Sequence, residues 1–219
     1  MDLSRVADDL GKIRFQFKCF HKPVFSWKGS YFVCRVKAER SLSFDHGLEG
    51  SIAEDCYFAV NAYRCGHTFD WIEGQMWEES PFTVSDFIEQ RKRWMQGIHL
   101  VVHSPNLPLR YKLFVAMSHY AWVTSILHKT LFVVLYLKPH YSNYWMSVLN
   151  AFVNAVIFYT FIFGSLKSFS VQKIGVKRYL LYVLGSILAA PMSLIVETIA
   201  VFLGFTTNKY MFYIVKKQM

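Results

Sequence analysis

Acidic side chains all but vanish from the second half of this 219-residue chain. After Lys112 there is one, Glu197, against nine Lys and Arg. Residues 1–112 hold 14 acids and 15 Lys and Arg, so +8 of the net charge of +9 resides in the apolar half. A basic excess placed there points to anionic lipid headgroups. The polar half lacks a basic stripe interleaved with aromatics, which excludes nucleic acid as the partner. The four cysteines (Cys19, Cys34, Cys56, Cys65) show no C-x-x-C spacing and read as free thiols of a reducing compartment. A secretory signal is absent too: Asp2, Asp8 and Asp9 stand where a positive n-region should be, and no apolar h-region follows. His99 and His103 lie four apart, but no third ligand follows at a useful spacing, so no metal site is expected. There is no internal repeat and no low-complexity segment.

What is present is hydrophobic length. Near Arg110-Tyr111-Lys112 the short-range mixing of polar and apolar residues ends. Three apolar runs follow, over about 113–137, 144–166 and 179–205, each long enough to cross a hydrocarbon core of about 30 Å as a helix. The first contains His119, His128 and Lys129, costly in lipid unless covered by protein or water. The link 167–178 carries Lys167, Lys173, Lys177 and Arg178, and the positive-inside rule puts it in the cytoplasm. Two crossings back, residues 1–112 then face the cytoplasm as well. The tail, with Lys209, Lys216 and Lys217, falls on the opposite side, against that rule.

The polar half reads as mixed α/β. Residues 29–36 and 68–72 have the β-branched and aromatic content of strands. Residues 51–64 read as a helix that Gly66 can end. Thr83 with Asp86 resembles a capping box ahead of a helix over about 84–100. Val84, Phe87, Ile88, Met95 and Ile98 form its apolar stripe, which predicts an interfacial helix with Arg91 and Lys92 toward headgroups.

Chemistry concentrates in two places. Glu54-Asp55 opens the 51–64 helix, and 35 residues after Asp55 comes Gln90-Arg91-Lys92-Arg93-Trp94. Inverting glycosyl transfer needs a base to take the acceptor hydroxyl proton, and a carboxylate in a first helical turn can do this with the dipole keeping it ionised. Asp55 is the candidate base and Glu54 its neighbour. Gln90, Arg93 and Trp94 share one helix face. The arginine fork suits a diphosphate, the indole a sugar ring, the glutamine a hydroxyl. Alone, each set reads blandly, as first-turn carboxylates and as a basic amphipathic helix. Together, before membrane-length runs, they point to transfer of a sugar. Glu197, mid-run, reads as a hydrogen-bonded packing residue, and Asn150 and Asn154 as bonding to neighbouring helices.

These residues resemble the family-2 inverting glycosyltransferases. Phe25-Ser26-Trp27-Lys28-Gly29-Ser30 is similar to the strand entry beside the acceptor, Ala53-Glu54-Asp55 to the T-E-D-type base motif with Ala for Thr, and Glu79-Ser80-Pro81 to the turn before Q-x-x-R-W. The runs His21 to Ser30, Phe44 to Asp55 and Phe87 to Gly97 resemble the invertebrate β-1,4-mannosyltransferases of that family. The resemblance implies the C-terminal half of a GT-A-type domain, then an interfacial helix and about three transmembrane helices. It implies transfer of mannose from GDP-mannose to glucosylceramide in glycosphingolipid biosynthesis, by a multi-pass protein of the Golgi or endoplasmic reticulum. It places Trp27, Gly29 and Ser30 beside Gln90, Arg93 and Trp94 at the acceptor and diphosphate, and it implies a divalent cation, Mn²⁺ or Mg²⁺. The family's metal-binding D-x-D motif is missing, and Asp8-Asp9 is not it. The expectation is that this stretch alone binds neither GDP-mannose nor the cation, is inactive alone, and leaves an open sheet edge. Two alternatives are a processive polysaccharide synthase of the chitin or hyaluronan type, and a non-catalytic membrane protein that binds glycolipid or a full-length partner.

Overall fold

A computed structural model describes residues 2–25, 27–50, 52–74, 81–128, 130 and 144–208. Among them the regular structure is helical: α1 (Asp2–Cys19), α2 (Val36–Leu42), α3 (Gly47–Gly50), α4 (Glu54–Arg64), α5 (Val84–His103), α6 (Leu109–Val123), α7 (Tyr144–Lys167) and α8 (Val171–Thr206). The chain divides into two compact units. One comprises residues 1–15 and 124–194, the other residues 16–123 and 195–219.

The α/β expectation needs correcting, because the described residues include no strand. Residues 29–35 and 68–74 run without a ladder. A strand is stable only beside a partner strand. Here the backbone link of the second segment is the Phe69 N–H donating to His21 O at 3.1 Å. Aromatic packing holds these segments instead. Trp27 meets Phe17, Phe32 and Phe69 edge-on at 5.1–5.7 Å, and Phe44 stacks on Phe58 at 4.4 Å. Val33 and Ile72, the β-branched residues that favoured strand, are 87% and 82% exposed.

The second unit has its core where α4, α5 and α6 meet, with Ala53, Cys56, Tyr57, Val60, Val101, Val102, Leu107, Val115 and Ala116 buried together. Thr83 caps α5: its hydroxyl accepts the Asp86 N–H at 3.0 Å and donates to the Asp86 carboxylate at 2.7 Å. The anticipated box is therefore present, with the acid returning to the hydroxyl. Four free cysteines match their spacing.

Helix α6 contains the start of the first apolar run. Its Lys112, Val115, Ala116 and His119 are buried, and it packs on α4 and α5. Lys129 and residues 131–143 of the run and its following link lie outside the described residues. Among the described residues two helices are long and apolar enough to cross a membrane. They are α7 and α8, which contain the second and third runs. In the first unit, α1 approaches α7 at Gly11, where a Cβ would fall 2.2 Å from Thr160 O. Every described side chain from Ser147 to Tyr159 on α7 is exposed. Asn154 donates to Asn150 O at 2.8 Å within α7 itself, where a bond to a neighbouring helix was anticipated. Gly175 (φ +76°) interrupts α8 near its start, and only glycine adopts that backbone readily.

Candidate active site

Helix α4 begins at Glu54, with Ala53 as its N-cap. Alanine offers no side-chain cap, so the first-turn N–H groups are open to other acceptors. Asp55 answers this locally: its Oδ1 accepts the Cys56 N–H at 2.7 Å. Its Oδ2 accepts the Gly29 N–H at 2.9 Å. That contact requires glycine, since a Cβ at position 29 would sit 2.9 Å from the Asp55 Cβ and 3.1 Å from Oδ2. Two stretches nominated separately in the sequence are thereby joined by one hydrogen bond.

Helix α5 approaches the start of α4 at Gly97. A Cβ there would meet the Ala53 Cβ at 2.6 Å and the Ala53 N at 2.9 Å. This close crossing brings Arg93 into the electrostatic field of Glu54 and Asp55. Desolvation pulls the Arg93 pKa down, and both carboxylates push it back up. Asp55 shifts upward. Burial raises it most and Glu54 adds to the rise, against the Cys56 and Gly29 N–H groups and the Arg93 charge. The place of Asp55 in the first helical turn led to the expectation of a dipole-stabilised, readily ionised carboxylate. Burial outweighs that effect, which leaves a stronger base.

The remaining nominated residues are half-buried. Trp27 Nε1, Ser30 Oγ and Gln90 Oε1 are buried polar atoms without a hydrogen-bond partner among the described residues. Such atoms are rare in a finished structure and call for a ligand or water. Trp94 lies on the Arg91 side of α5, its ring 4.2 Å from the Arg91 guanidinium carbon.

Arg91 corrects another expectation. It is 2% exposed and faces no headgroup. Its Nε lies 3.2 Å from Glu197 Oε1, and Phe87 covers it at 4.5 Å. Glu197, foreseen as a packing residue, is that arginine's counter-charge. Gln96 and Gly97 were not singled out by sequence. Their signal was faint, a polar side chain and a glycine inside an otherwise apolar helical stripe. His99 Nδ1 contacts His119 Nε2 at 3.3 Å, and Tyr120 donates to or accepts from His103 Nε2 at 2.7 Å. Among the described residues no group of three His, Cys, Asp or Glu could hold a metal ion. The residues here do not fit a divalent cation, and no step below passes through one. Glu79 and Ser80 of the turn before Q-x-x-R-W lie outside the described residues.

A buried carboxylate at a helix start, faced by an arginine from a helix carrying Q-x-x-R-W, defines a class. The chain belongs to family group 2 of the glycosyl transferases, whose model matches residues 1–213. It is 49% identical over 216 residues to the β-1,4-mannosyltransferase egh of Drosophila melanogaster, covering 99% of this chain and 47% of the fly protein. It is 48% identical over 217 residues to the β-1,4-mannosyltransferase bre-3 of Caenorhabditis elegans, covering 99% and 48%. The chain thus spans about half the length of the curated relatives it matches. No solved structure matches it.

Proposed function

We propose that this chain carries the acceptor-side half of an inverting β-1,4-mannosyltransferase that takes mannose from GDP-mannose to glucosylceramide at a membrane surface. One observation carries the proposal: Asp55, pushed up in pKa by burial, is bonded to the Gly29 N–H and faces Arg93 of the Q-x-x-R-W helix. Asp55 removes the proton from the acceptor hydroxyl as that oxygen attacks the anomeric carbon. The bond from that carbon to the diphosphate breaks, and the configuration inverts. Arg93 receives the charge that develops on the departing diphosphate. Glu54 holds Arg93 in place alongside Asp55. Trp27, Ser30 and Gln90 offer their unmatched polar atoms to sugar hydroxyls, and Trp94 offers a ring face.

A glycolipid acceptor agrees with two helices of membrane-crossing length in the same chain. We place the protein, as a multi-pass membrane protein, in the Golgi or endoplasmic reticulum with this site on the cytoplasmic side, following Lys167 at the end of α7 and Lys173, Lys177 and Arg178 at the start of α8. A divalent cation, expected of the family, would be held by residues other than those described.

The test supplies GDP-mannose and glucosylceramide to membranes holding the complete native protein. Mannosylated glycolipid should form, and Asp55→Asn should cut its rate by about 10²–10⁴-fold. Absence of product from the wild type, or an undiminished rate in the variant, would sink the proposal. Polymer growth from a UDP-sugar would instead favour a polysaccharide synthase.

A further inference from the structure

We propose that Arg91 and Glu197 are positioning residues for this site: the ion pair between the buried Arg91 and the half-buried Glu197 sets the rotation of α5 and so aims Gln90, Arg93 and Trp94. The inference rests on the functional reading above. It begins from helix geometry. At about 100° per residue, Arg91 and Arg93 point about 200° apart, to opposite sides of α5. Arg93 lies in the field of Glu54 and Asp55, on α4. Arg91 meets Glu197, on α8. Each face of α5 is therefore matched to an acid on a different element, and only one rotation satisfies both.

Three further contacts lock that side. Phe87 and Trp94 hold the Arg91 guanidinium between them at 4.5 Å and 4.2 Å, so the plane of Trp94 depends directly on where Arg91 is held. Gln96 is 1% exposed, and its amide donates to Gly204 O at 3.0 Å, Asn208 O at 3.2 Å and Thr207 Oγ1 at 3.3 Å. Gly204 O lies in the last turn of α8, so α5 caps α8 with a side chain. Gly204 admits Met95, for a Cβ there would lie 2.4 Å from the Met95 Cε. Residues rising along α5 pair with residues rising along α8, so the two segments run in the same direction. Turning α5 by one residue would take the buried Arg91 guanidinium away from its counter-charge, which is strongly unfavourable. Buried ion pairs of this kind specify register more reliably than they add stability.

The experiment uses the complete native protein in nanodiscs. Arg91→Gln and Glu197→Gln should each lower kcat by about 10–100-fold, the size expected of a small misplacement, with acceptor KM changed less than about threefold. The neutral pair Arg91→Met/Glu197→Leu guards against simple unfolding, since removing both charges together leaves none buried. It should melt close to wild type yet keep the low kcat. Hydrogen–deuterium exchange should quicken in the peptides covering α5 and the end of α8. A neutral pair with wild-type kcat and wild-type exchange overturns the inference. A wild type that makes no mannosyl product overturns the function instead, and the exchange comparison still decides whether the pair fixes α5.

Discussion

Asp55 accepts two backbone N–H groups and yet binds its proton more tightly than an ordinary aspartate, because burial and Glu54 outweigh them. The sign has two consequences. A carboxylate whose folded pKa is raised contributes stability below its unfolded value and loses it as pH rises through the folded one. Asp55→Asn should therefore gain in Tm relative to wild type as pH goes from about 4 to about 7, a difference that differential scanning fluorimetry across pH can read. In turnover the same group gives a rising limb with pH, centred above the usual carboxylate range. Gly29 makes the companion case. Gly29→Ala puts a methyl 2.9 Å from the Asp55 Cβ, so it should displace the carboxylate and lower kcat about 100-fold, as steady-state assays would show. Residue type and spacing nominated Gly29 and Asp55 from sequence, and the fold brings the two together, so that much of the candidate site was legible. The direction of the Asp55 shift was not, because burial is a property of the packed state.

Helix α5 was readable as an element, from its cap, its stripe and its motif. What it packs against was not. Arg91 belongs by type on a wet surface, and its burial follows from packing with Phe87 and Trp94 and pairing with Glu197. The strands misled for a related reason. Residues such as Val33 and Ile72 favour strand only where a neighbouring strand pairs with them, and local composition carries no record of that neighbour. Two measurements test the element. Thr83→Ala removes the cap that Asp86 uses and should cost about 1 kcal/mol in denaturant unfolding. Gly97→Ala forces a methyl against the Ala53 backbone and should cost more, about 1–3 kcal/mol, with activity falling as α5 moves off α4.

For the molecule as a whole, hydropathy foresaw α7 nearly to its ends, because length and apolar content are local properties, whereas α8 starts at Val171, eight residues before the third run, in a stretch that carries Lys173, Lys177 and Arg178. The compact units are not divided at the hydropathy boundary near residue 112: α1 and α8 each contribute to both. Spatial division depends on long-range packing, which a hydropathy profile does not contain. The apolar surface of α7, exposed along residues 147–159, calls for a cover, which under the proposed membrane location is lipid. Alkaline carbonate extraction should leave the protein in the membrane pellet. Recovery in the supernatant would show that something other than a bilayer covers α7.

The grip of Gln96 on the end of α8 also has a consequence in time. Its two sides are 108 residues apart in the chain. At about 5–20 residues per second, a ribosome needs roughly 5–20 s to pass from one to the other. Through that interval the helix bearing Gln90, Arg93 and Trp94 exists without the segment that orients it. Translation that halts before Glu197 leaves the motif written in full and the machinery unassembled. Synthesis thus acts as its own checkpoint, with the last helical turns arming a site whose residues were made long before.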